Sequence, residues 1–157
     1  MLQKNLCVKT VKMKIYLCII GMIIIIVGCK KDNYQTKPQI KIRSVVPFEV
    51  RQGGSLTTIL EFIDKEGDLG GGELLIIRQR LNRRPLPTNY IKIDTIRTNV
   101  PKFPDKSKGE MDVRLEYNNF LKESPIENDT ITLKFAVQDI KGNKSDTIST
   151  AKIVIIN

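Results

Sequence analysis

Three carboxylates alternate in the segment FIDKEGDLGGG: Asp64, Glu66 and Asp68, with Gly67 between the last two and Gly70, Gly71 and Gly72 just beyond. Closely spaced carboxylates repel one another unless positive charge or hydrogen-bond donors sit among them. An all-oxygen donor set in a flexible loop selects a hard ion, and Ca²⁺ accepts roughly 6 to 8 oxygens at about 2.3–2.6 Å. A fourth carboxylate, Asp139, closes the run LKFAVQD four residues before Asn143, giving a candidate Ca²⁺ set of Asp64, Glu66, Asp68 and Asp139. The loop is not an EF-hand. Its glycine is Gly67 rather than the sixth residue, and Leu75 stands where that loop places its bidentate glutamate. The same aspartates have a plainer use, because Asp beside Gly bonds its own backbone in Asx turns. Both uses are open at the level of sequence.

A second chemical feature is RQRLNRRPLP, where Arg78, Arg80, Arg83 and Arg84 fall at a strand end and in the turn after it. Such a cluster suits an anionic surface, the phosphates of lipid or lipopolysaccharide, through salt-sensitive contacts. Its plainer reading, a solvated strand face followed by a proline-stiffened loop, is the favoured one. A third is the recurring triplet Asp-Thr-Ile, at Thr95, Thr130 and Thr147. The chain has no histidine, which removes Ser-His and Cys-His nucleophile pairs, imidazole bases and most zinc sites. There is no G-x-S-x-G elbow either. These features point away from an enzyme.

The elements that carry these residues read as strands. QIKIRSVV alternates Ile40 and Ile42, then Val45, with polar partners, and SLTTILEFID, GELLIIRQRL, NYIKIDTIRT, MDVRLEYNNF, DTITLKFAVQD and SDTISTAKIVII follow, each rich in β-formers. Gly, Pro and Asn separate them at roughly 10-residue spacing, the texture of a two-sheet sandwich of about seven strands. Helix should amount to a turn or two at most. Phe62, Ile77, Leu115, Phe135 and Val137 are the expected core.

The first 28 residues have another character. Ile15 to Gly28 is an apolar run of about 14 residues, short of the ~20 that a helix needs to span a bilayer but right for a secretory signal. Lys4, Lys9, Lys12 and Lys14 precede it with no acidic residue, and translation could begin at Met13 instead of Met1. Ile26-Val27-Gly28-Cys29 resembles a bacterial lipobox. That resemblance implies cleavage before Cys29, acylation of Cys29 and several chains anchoring together in lipid. Residues 29–37 then form a polar, flexible tether, and 38–157 form the domain. Cys7 and Cys18 would leave with the signal, so the mature chain would hold no disulfide and no free thiol. Removing the four early lysines from 26 basic residues leaves 22 against 17 acidic ones, a net charge of about +5. A moderately basic envelope protein meets anionic lipid or polysaccharide, not nucleic acid.

CKKD, from Cys29, resembles the openings of small lipoproteins of Bacteroidota, which implies a lipid-anchored place in the cell envelope at the outer membrane, on either face. LKFAVQDIKGNKSDTISTAKIVI, Leu133 to Ile155, resembles the closing hairpin of bacterial immunoglobulin-like domains, and FIDKEGDLGGG resembles a loop of lipoproteins of that type. The fold so implied is a single immunoglobulin-like antiparallel β-sandwich. In that connection the loops after the second and sixth strands emerge at one end, which would bring Asp139 beside Asp64, Glu66 and Asp68. The Asp-Thr-Ile triplets resemble the acceptor pattern for O-glycosylation in Bacteroidota, implying modification at Thr95, Thr130 or Thr147. The functional expectation is an interaction or structural module without catalytic activity, holding an envelope protein or a glycan. A carboxylate-dependent hydrolase is the remaining alternative.

Overall fold

Alternation decides most of the architecture. The computed structural model describes residues 36–87 and 94–157, which fall in one compact unit, Gln35–Asn157. The signal segment 1–28, Cys29, the tether as far as residue 35, and residues 88–93 of the expected fourth strand lie outside the described residues. The strands are β1 (Gln39–Val46), β2 (Glu49–Val50), β3 (Ser55–Ile63), β4 (Glu73–Arg80), β5 (Thr95–Asn99), β6 (Lys108–Glu116), β7 (Asp129–Gln138), β8 (Ile148–Ser149) and β9 (Ile153–Ile155). One π-helical turn, Tyr117–Leu121, is the only helix among the described residues.

Two sheets face each other. The first has the order β1-β3-β6, and the second β2-β9-β7-β4-β5 with β8 also on β7. The seven expected strands are all accounted for, because β1 and β2 are one broken strand and β8 and β9 another. The first, second and fifth strands make one sheet, and the third, sixth and seventh the other, which is the immunoglobulin arrangement. The fourth strand, β5, pairs with the third, as extra strands of variable-type domains do. One pairing corrects a purely antiparallel expectation. β2 runs parallel to β9, because the chain passes from the first sheet to the second around Pro47, whose peptide bond with Val46 is cis.

The core lies between the sheets. β3 buries Leu56, Thr58, Leu60 and Phe62, and β7 buries Ile131, Leu133, Phe135 and Val137, each at a spacing of two. In β1 a bulge between Ile42 and Ser44 shifts the register, so that Ile40 and Ile42 and then Val45 face inward. Phe62, Leu115, Phe135 and Val137 are core residues as expected. Ile77 is not. In the apolar run Leu74 to Ile77 either phase satisfies hydrophobicity, and the phase is set at Gly72, where a β-carbon would collide with the carbonyl oxygen of Gln138. That close approach fixes the register of β4 on β7, with Leu74, Ile76 and Arg78 inward and Ile77 half-buried on the opposite face.

Candidate functional site

The acidic loop begins where β3 ends. The Asp64 amide donates to the Ser107 carbonyl at 2.8 Å, and the Asp64 carbonyl accepts from the Gly67 amide at 3.1 Å, closing a turn in which Gly67 takes φ +74°. Only glycine occupies that region without strain. The loop is then stitched to the segment 100–107, through Lys106 N–H to Gly67 at 3.3 Å and Gly71 N–H to Val100 at 3.1 Å. This closure seals the Asp64 carboxylate away from water, and neither oxygen has a hydrogen-bond partner of full geometry. Burial, and then the charge of Asp68, push the Asp64 carboxyl above the ordinary carboxylate range, while the amides of Glu66 and Asp68 pull weakly the other way.

The loop after β7 meets it, as the immunoglobulin connection implies. The Ile140 amide donates to the Asp68 carbonyl at 3.4 Å, and Lys141 Nζ lies 2.7 Å from Glu66 Oε2 and 3.1 Å from Asp68 Oδ2. Lys141 is held well above the ordinary lysine range by Glu66 and then Asp68. Asp139 does not join the other three carboxylates. Its Oδ1 accepts from the amides of Lys141 (2.9 Å) and Asn143 (2.8 Å), and its Oδ2 accepts from Asn143 Nδ2 at 2.8 Å, an Asx turn closed over Gly142 at φ +90°. The two chains thus converge, but the positive charge at the convergence is the Lys141 ammonium. Among the described residues no group of three or more His, Cys, Asp or Glu side chains is arranged to hold a metal ion. Of the set expected for Ca²⁺, Glu66 and Asp68 share the Lys141 ammonium, Asp139 closes its own turn, and Asp64 is buried beside Asp68.

The arginine cluster also separates. Arg78, in phase with Leu74 and Ile76, enters the interior, where its Nε lies 2.6 Å from Glu123 Oε1 and its guanidinium carbon 4.9 Å from the centre of the Phe120 ring. Burial lowers its pKa, opposed by Glu123. Arg80 donates to Asp129 Oδ1 at 2.7 Å and also pairs with Glu127. Asp129 is buried, yet its carboxyl stays below the usual range because Arg80 and the amides of Ser124 (2.7 Å) and Glu123 (2.8 Å) all donate to it. These two arginines therefore fasten the stretch from Phe120 to Asp129 onto β4 and face no external surface. Arg83 and Arg84 are exposed. Sequence reasoning missed Glu123 and Asp129. A signal existed for Asp129, which precedes Ile131, Leu133, Phe135 and Val137 in the same phase, and a carboxylate on a core stripe requires an internal partner.

The ends of the sandwich differ. Gln39, where the chain enters β1, pairs with Ile63 at the acidic-loop end. β4 runs from Glu73 at that end to Arg80 at the other, 8 residues at about 3.3 Å each, so Arg83 and Arg84 lie roughly 25 Å away along the strand direction. The same far end carries exposed Leu81 and Ile126. Of the threonines, Thr95 and Thr147 are exposed, whereas Thr130 is half-buried within β7. The chain matches no protein-family model and no curated protein.

Proposed function

We propose that the protein is a lipid-anchored module of the bacterial cell envelope, a lipoprotein of the Bacteroidota type held in the outer membrane through acylated Cys29. It holds a partner protein and carries out no catalysis of its own. The observation that best supports the interaction role is a patch at the end farthest from where the chain enters, Arg83 and Arg84 together with the exposed apolar side chains Leu81 and Ile126, whereas Ile140 is the one large apolar side chain exposed beside the acidic loop among the described residues. Cations beside apolar groups suit a protein surface with carboxylates and an apolar patch, and a tether at the opposite end would present them away from the anchor. A glycan remains the second reading. It is the weaker one because Tyr117 is packed in the core, leaving Phe48 as the exposed aromatic among the described residues. Hydrolysis by carboxylates is disfavoured by the closure of Asp64, which no substrate reaches without opening the loop.

Photo-crosslinking in the native envelope tests the interaction role. A photoreactive residue in place of Arg84 should give a discrete protein adduct, and one in place of Glu66 should not give the same adduct. Adducts of equal yield from both ends, or none from Arg84, would overturn the assignment of the partner surface.

A further inference from the structure

Among the described residues the first sheet ends in an uncovered strand. Constant-type immunoglobulin sandwiches place a further strand beside the fifth, but the segment 100–107 crosses the end of this sandwich, and among the described residues only β3 pairs with β6. The bonding phase of β6 follows from its flanks. The Tyr117 amide donates to Gly54 and the Asp64 amide donates to Ser107, so in the β3–β6 register the odd-numbered residues Gly109 to Leu115 direct their N–H and C=O groups to β3. The even-numbered residues Lys108, Glu110, Asp112, Arg114 and Glu116 therefore direct theirs outward. Beneath this edge a cleft of about 540 Å³ opens between the sheets, lined by Met111, Val113, Leu115, Ile76, Ile96 and Phe103 among others.

We propose that β6 pairs antiparallel with β6 of a second copy of this chain, about a two-fold axis at Asp112. The charges favour this occupant and this register, with Glu110 exchanging its Arg43 partner and Arg114 its Glu116 partner of the same copy for partners on the second. Centring on Asp112 sets Lys108 opposite Glu116 of the second copy and Glu110 opposite its Arg114, each twice by symmetry, with Asp112 facing its own equivalent as the single like-charge pair. A centre one residue earlier sets Lys108 against Arg114 and Glu110 against Asp112. A centre one residue later sets Asp112 against Arg114 but also Glu110 against Glu116, so that its like-charge pairs equal its opposite-charge pairs. Opposite charges facing across strands stabilise pairing and like charges oppose it. In the favoured register the outward N–H and C=O groups of both edges meet in bonded pairs, and Met111 and Val113 of each copy come together over the cleft.

Site-specific crosslinking tests the register. In a bonded antiparallel pair facing Cα atoms stand about 5.5 Å apart, within disulfide reach. In the full chain, expressed in its native envelope with Cys7 and Cys18 replaced by serine, Asp112→Cys should yield a disulfide dimer, and Lys108→Cys alone should not. Adding Arg114→Glu to Asp112→Cys should cut the dimer yield several-fold, and adding Glu110→Arg as well should restore it, because the swapped charges again attract. Failure of Asp112→Cys to crosslink, equal yields from Asp112→Cys and Lys108→Cys, or no rescue by the double swap would each overturn the proposal.

Discussion

Replacing Glu123 with alanine would leave the Arg78 guanidinium inside the protein without its principal counter-charge. Arg78 is 4% exposed and Glu123 1%, with 2.6 Å between Arg78 Nε and Glu123 Oε1. For charge centres about 4 Å apart at an effective dielectric near 20, the lost attraction is about 4 kcal/mol. Breaking a buried pair from one side costs about 3–5 kcal/mol, because the remaining charge stays desolvated. Asp129 softens this loss without replacing the partner, since its oxygens are already engaged by Arg80, Glu123 N–H and Ser124 N–H. The Phe120 face contributes a cation–π contact on the order of 1 kcal/mol. A loss near 4 kcal/mol is a large share of the ~5–15 kcal/mol that holds a domain folded. Equilibrium urea unfolding of Glu123→Ala should therefore show a much lower midpoint with an unchanged slope. The double variant Arg78→Met/Glu123→Leu should recover most of the loss, because an apolar pair of similar volume avoids both desolvation terms. A Glu123→Ala loss below about 1 kcal/mol, or a double variant no better than the single one, would refute this reasoning.

Three further outcomes follow from buried groups and from the acidic loop. The Asp64 carboxyl is raised in the folded state, so its stabilising contribution is complete below the unfolded value of about 3.9 and is lost as pH rises through the folded value. Asp64→Asn should accordingly gain stability relative to the wild type on going from acidic to neutral pH, and a pH-independent difference in chemical denaturation would contradict the assignment. Thr58 is fully buried with its hydroxyl unpartnered, so Thr58→Val should raise stability by about 1 kcal/mol in the same assay, and a loss of that size would indicate a hidden partner. With Lys141 supplying the positive charge to Glu66 and Asp68, thermal melts in millimolar calcium and in chelator should coincide; a higher midpoint in calcium would restore Asp64, Glu66 and Asp68 as ion ligands.

Much of this architecture is legible in the chain, and the misses have physical causes. Alternation in ITLKFAV assigns the inward face without ambiguity, and the turn residues after Asp64 and Asp139 mark the two loops that meet. Alternation fails in LLII, where four apolar residues in a row carry no phase and a backbone contact at Gly72 makes the choice. It also fails for charge. Arg78 reads as solvated until Glu123, 45 positions later, lies beside it, and only the fold brings the two together. Lys141 likewise belongs to a turn that says nothing locally about Glu66, its partner 75 positions away.

The proposal that this sandwich works as an anchored envelope module rests first on Cys29. The intact mass of the mature protein purified from its native envelope should equal a chain beginning at Cys29 with acyl groups on its sulfur and its amino terminus, plus any sugar on Thr95 or Thr147. Cys29→Ala should stay uncleaved and unacylated. A wild-type mass that retains residues 1–28, or that begins beyond them with no lipid attached, would contradict the anchored module.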